Sequence, residues 1–317
     1  MSKILDKPKR TVKMVSDFLS EGVWKLDFTE LSKLRARLVK HLKVILVTLK
    51  GFSKQKIGRE AVALSYFGMM AAVPMVAVVL FVSNGFGLEQ VLSEMLFKSF
   101  PTSTQLINAI LRFANNILAY LDKGLFGWIS FGTFIWLIIW LMLNIELAFN
   151  RIWHVQKSRN LMKRIAVYFT IMFLSPFLLL MFLYGWAYYG QFLNIVKSTL
   201  PIFNFLTGFL FWVIFYGLAV VIFSALYKFI PHAKVEYSAA IKASVVSGLA
   251  FVVVQYLYLE TQMMVTKLNA VYGVIAALPL FMIWMTTCWN IILIGSELSF
   301  GFQHVDDFDF TTNDIKK

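Results

Sequence analysis

The chain has 317 residues, of which 59% are hydrophobic and 15% charged, with a mean hydropathy of +0.71, against roughly 45–50% apolar and 25% charged in soluble domains. That excludes a soluble globular fold, and apolar runs of about 20 residues exclude a β-barrel, whose strands alternate over about ten. The sequence therefore reads as an all-α integral membrane protein. The net charge of +13 lies almost entirely outside the apolar runs, so it is explained by topology and implies no nucleic-acid partner.

Residues 1–57 form a basic cytoplasmic segment with no short apolar core and cleavage site of a removable signal peptide. The first span is then expected to act as its own targeting signal. Within "DFTELSKLRARLVKHLKVILVTLKGF", Asp27 and Glu30 have capping-box spacing. Leu31, Leu34, Leu38, Leu42, Ile45 and Leu49 make one apolar stripe, with Lys33, Arg37, Lys40 and Lys43 mostly on other faces. Two placements fit this amphipathic helix. It lies on the cytoplasmic leaflet against membrane lipids and their anionic head groups, or it packs on the ends of the bundle.

Residues 58–301 form the membrane domain, with spans predicted near 62–83, 126–147, 165–190, 205–227, 239–259 and 273–299. A further amphipathic helix is predicted at 106–121, outside the membrane, and residues 302–317 form an acidic tail. Of the 30 lysines and arginines, 25 fall in alternate compartments that include both termini. By the positive-inside rule both termini are cytoplasmic.

This orientation puts Glu146 and Glu297 near the cytoplasmic ends of the second and sixth spans. A carboxylate there faces the negative end of the helix dipole, an unfavourable placement typically worth about 0.3–1 kcal/mol, so neither sits there for stability alone. Arg59 and Glu60 open the first span in the same layer. Arg151 follows Glu146 by five residues, and Asn150 lies one turn beyond Glu146 on the same helix face. Asn290 and Glu297, seven apart, share a face of the last span. A polar seam between spans one, two and six, built from Glu146, Asn150, Arg151, Asn290, Glu297, Arg59 and Glu60, is the simplest geometry that satisfies them. Intramembrane acids mark function by default, whereas Asn144, Asn290 and Gln255 also fit simple packing between helices. Pro74, Pro176 and Pro279 interrupt spans, and Tyr66 lies deep in the first.

Histidines 41, 154, 232 and 304 are scattered without a metal-binding pattern, and Cys288 is the single cysteine. No metal or cofactor site, nucleotide-binding loop or nucleophile motif is found. The sequence therefore predicts no enzyme.

Three segments carry a family pattern: "REAVALSYFGMMAAVPMVAVVL", "LNIELAFNRIWHVQKSRNLMKR" and "VYGVIAALPLFMIWMTTCWNIILIGSELSF". Over about residues 57–301 the chain resembles the YihY/BrkB family of bacterial inner-membrane proteins. The resemblance implies six membrane helices with both ends inside, plasma-membrane localisation, and a link to virulence-associated surface properties and lipid or solute movement. The family's old "ribonuclease BN" label finds no metal ligands here. Where the family has a serine and an aromatic before the first-span proline, this chain has "AAVP", so no role passes to that serine. The expected function is a small secondary transporter or lipid or solute exporter using the polar seam; the alternative is a non-transporting membrane scaffold acting through the N-terminal helix.

Overall fold

A computed structural model describes residues 32–87, 124–156, 164–170, 204–266 and 270–306, two short tail strands, and scattered positions between 90 and 119 and between 160 and 177. The capping box at Asp27 and Glu30, Leu31 of the stripe, most of the helix at 106–121, and most of the third span with Pro176 lie outside the described residues.

Among the described residues, six long helices carry the fold: α1 (Lys33–Lys54), α2 (Ile57–Gly85), α3 (Leu125–Ile152), α4 (Asn204–Phe229), α5 (Tyr237–Thr266) and α6 (Ala270–His304). A two-residue antiparallel ladder, β1 (Phe308–Asp309) with β2 (Asp314–Ile315), pairs Phe308 with Ile315 in the tail. Residues 164–170 are also helical. Among the described residues, four stretches are long and apolar enough to cross a membrane: Phe131–Ile152, Trp212–Phe229, Tyr237–Thr261 and Pro279–His304. They coincide with the second, fourth, fifth and sixth predicted spans, and α2 covers the first.

The helix ends follow local chemistry. α3 begins after Gly124, whose φ of 78° suits glycine, and ends at Ile152, two residues before His154 turns the chain with φ 49°. α4 stops just before Pro231, which cannot continue a helix. α1 and α2 are separated only by Gln55 and Lys56, and Lys56 takes φ 55°. A side chain in this left-handed region is disfavoured by roughly 1–2 kcal/mol. Lys56→Gly is accordingly expected to raise stability by about 1 kcal/mol, seen as a higher unfolding midpoint in detergent; an unchanged or lower midpoint would show that the lysine side chain compensates.

α6 is the hub, touching each of the other five helices, while α5 packs between α4 and α6. At about 1.5 Å per residue its 35 residues run to roughly 50 Å, well beyond the ~30 Å hydrocarbon thickness. Its C-terminal end thus has length to spare for holding α1. Where lipid is as apolar as leucine, helices associate by close packing of small residues. α5 buries Ala239, Ala240, Ala243, Ser244 and Ser247 along one face. Gly295 of α6 lets the Tyr227 hydroxyl of α4 pass so close that a Cβ would lie 2.0 Å from it, and Tyr227 donates to Ser247 Oγ at 2.8 Å.

The buried side chains Ile57, Leu64, Phe149, Ile152, Tyr227, Leu293 and Phe300 form one cluster. They come from the start of α2, the ends of α3 and α4, and the far end of α6. Among the described residues this cluster lies where α1 docks, and a smaller one, Val78 with Ile138, lies farther along α2 and α3.

Of the two predicted placements, α1 shows packing on the end of the bundle, through one of its faces. Val44, Val47 and Thr48 are buried, and Gly301 of α6 meets Val44 and Thr48. The predicted stripe points elsewhere: Leu34, Leu38, Ile45 and Leu49 are 50–73% exposed. Lys40 pairs with Asp306 just after α6. Lys43 is only 6% exposed, and burial holds its ammonium below the ordinary value of 10.5, with Asp306 opposing the shift. A lysine whose folded value is depressed carries a penalty in its charged form, so stability rises as pH climbs from that lowered value toward 10.5. Lys43→Met is expected to stabilise the protein at neutral pH and to flatten that alkaline rise, read from unfolding midpoints across pH; a retained slope would assign it to another group.

Candidate functional site

The seven residues predicted to form one seam all have described positions, and hydrogen bonds link four of them in two pairs, Glu146 with Asn150 and Arg151 with Glu60. Glu146, on the last two turns of α3, is 3% exposed. Its Oε1 accepts from Arg164 Nε at 3.1 Å and from Asn150 Nδ2 at 3.4 Å, and its Oε2 accepts from the Tyr168 hydroxyl. Asn150 Oδ1 accepts the backbone N–H of His232 at 2.7 Å. This cluster ties α3 to the helical stretch 164–170 and to the turn between α4 and α5. Both carboxylate oxygens are occupied, and Arg164 compensates the charge.

Arg151 points away from this cluster and pairs with Glu60 at the start of α2. The arginine is 55% exposed there, where such pairs contribute about 0–1 kcal/mol. Arg59 is exposed on the same turn and belongs to neither cluster. Asn290 donates to Thr286 O at 2.9 Å, within its own helix. Asn144 does the same to Trp140 O at 2.7 Å, whereas Gln255 accepts from Trp284 Nε1 at 3.1 Å and joins α5 to α6.

Glu297 stands apart. It is 1% exposed, its carboxyl is hydrogen-bonded by the Gln55 side chain, and its Oε2 has no partner. A recess of about 10 Å³, lined by Val47, Gly51, Lys54, Gln55, His154 and Phe300, opens beside it. That is room for about one water. Gly51 makes the approach possible, since a Cβ there would lie 1.8 Å from Glu297 Oε1. Next to Glu297 in the chain, Ser296 accepts from Trp153 Nε1 at 3.2 Å, and Trp153 meets Phe300 edge-on.

Sequence reasoning missed Arg164, Tyr168, Gln55 and Gly51. Arg164 and Tyr168, four residues apart on one face of the helix that enters the third span, did carry a signal: a cation heading an apolar run needs a partner. Nothing in the sequence marks Gly51 or Gln55.

Compared with known proteins, residues 48–314 match the family described as virulence factor BrkB. The chain is 30% identical over 273 residues to a UPF0761 membrane protein of Acinetobacter baylyi, a match covering 81% of this chain and 61% of that one. A UPF0761 membrane protein of Pseudoalteromonas translucida is 27% identical over 242 residues, 74% of this chain and 78% of its own. One from Coxiella burnetii is 28% identical over 270 residues, 78% of this chain and 88% of its own. The chain thus spans less than two thirds of the Acinetobacter relative. No solved structure matches the chain.

Proposed function

The chain belongs to the virulence factor BrkB family of membrane proteins, and from that premise we propose that it is a small secondary transporter or lipid or solute exporter of the bacterial inner membrane. In this reading it crosses the bilayer six times with both termini cytoplasmic, as the charge asymmetry favours. The end of the bundle where α1 docks then faces the cytoplasm, with Glu146 and Glu297 in that layer.

The observation that carries the reading is Glu297: a buried carboxylate with one unpartnered oxygen beside a recess. A structural acid would be paired on both oxygens, as Glu146 is. Glu297 is therefore the group that binds a proton, a cation or a charged head group, and Glu146 with Asn150 holds the helices in register around it. Arg151, Glu60 and Arg59 form the outer rim, where they meet charged species arriving from the cytoplasm. Asn290 lies two turns deeper on the path.

A test needs no guessed substrate. Membrane lipids and released solutes are profiled without targeting in cells carrying the wild type, a deletion, or Glu297→Gln. Glu297→Gln is expected to reproduce the deletion profile while reaching the membrane in wild-type amount. A wild-type profile would remove Glu297 from the mechanism.

One observation favours a second reading, a membrane scaffold. The exposed stripe of Leu34, Leu38, Ile45 and Leu49 on a basic helix suits insertion into an anionic leaflet. There, removal of residues 1–50 abolishes function and Glu297→Gln does not.

A further inference from the structure

Two buried oxygens at one place lack donors. Glu297 Oε2 and Gln55 Oε1 are both enclosed and both without a hydrogen-bond partner, although the two side chains are bonded to each other. Because Oε2 is unpartnered, the Gln55 amide N–H serves Glu297 Oε1. Each side chain is then left with one enclosed oxygen that has no donor. In a buried site such acceptors are normally satisfied.

One proton removes the conflict. On Glu297 Oε2 it is donated to Gln55 Oε1, while the amide N–H still goes to Glu297 Oε1. Two antiparallel hydrogen bonds then use every inward-facing polar atom of the pair. The titratable groups facing the recess are Lys54, at the end of α1, and His154, just after α3; neither is an acid that competes for the proton. α6 contributes Glu297 and Phe300, and Gly51 brings the α1 backbone close enough to close the pair from above.

We infer that Glu297 and Gln55 form an acid–amide pair that holds one exchangeable proton at the joint of α1 and α6, with Gln55 as the positioning residue. The proton comes from solvent by way of the recess and returns there when α1 moves and the pair opens; no other bond is made or broken. The N-terminal helix thereby becomes part of the proton site, not an appendage to the membrane domain. The pair's role in transport rests on the reading proposed above, whereas its existence does not.

Infrared spectroscopy of the full chain in lipid nanodiscs tests it. The expected result is a protonated-carboxyl C=O band that is deuterium-sensitive, titrates with pH and disappears in Glu297→Gln. In Gln55→Leu the band should move to higher frequency, because the acid loses its acceptor. The second variant keeps the test decisive if Glu297→Gln folds poorly. Absence of the band at every pH where the protein is folded would mean an ionised Glu297 beside a water and would overturn the inference. So would a band that Gln55→Leu leaves unmoved. If the band behaves as expected but the Glu297→Gln cells match wild type, the pair stands and the transport reading falls.

Discussion

Glu146→Ala is expected to lower stability by about 3–5 kcal/mol, the largest effect of any single substitution at the polar sites, because it leaves Arg164 buried without its counter-charge. Arg164 is 11% exposed and its Nε points at Glu146 Oε1. The same change removes the acceptor of the Tyr168 hydroxyl and of Asn150 Nδ2. The control is the double variant Glu146→Leu with Arg164→Met, which takes out both charges and should recover most of the loss. Equilibrium unfolding in mixed micelles reads both. If the single and double variants lose the same amount, packing around Glu146 and not the uncompensated arginine sets the effect.

Gly51→Ala is expected to destabilise the docking of α1 by about 1–3 kcal/mol, the usual range for overpacking, and to abolish function in the same step. The added methyl would sit 1.8 Å from Glu297 Oε1 and 2.4 Å from its Cδ. Either α1 lifts off α6 or Glu297 leaves its bond with Gln55. The clash is with one side chain, so it is removed by shortening that side chain. In a Glu297→Ala background, Gly51→Ala should have little effect on stability, and the double-mutant cycle should show strong coupling between the two positions. Limited proteolysis within α1 measures the docking directly. Additive effects would mean that the helices meet differently.

The two acids illustrate what the sequence could and could not convey. Their place near the C-terminal ends of two apolar helices was legible, because it follows from where an apolar run ends. Their partners were not, because pairing depends on the rotation and crossing of helices, and in a membrane hydropathy is nearly silent on both. Lipid tails are as apolar as leucine, so an apolar face is not thereby a buried one. α1 shows the same limit at the surface. Leu34, Leu38, Ile45 and Leu49 of the strongest stripe remain exposed, with Leu42 half-buried, while the modest face of Val44, Val47 and Gly51 packs against α6. The small residues of α5 and Gly295 are equally quiet in a hydropathy profile, yet they bring the helices together. Gln255 bridges two helices, the packing use expected of amides between spans, whereas Asn290 and Asn144 bond to the backbone of their own helices.

Transport requires that Glu297 open onto a water-filled path, and cysteine accessibility measures that most directly. In a Cys288→Ser background, single cysteines replace Lys54 at the recess and Asn290 and Gln255 deeper in the bundle, and a membrane-impermeant maleimide is applied from each side in turn. Transport predicts labelling at Lys54 from the cytoplasm and at Asn290 and Gln255 from either face, with prior exposure on one side blocking reaction from the other. Labelling confined to Lys54, with the two deeper positions unreactive from both sides, would mean a dry bundle and contradict the transport reading.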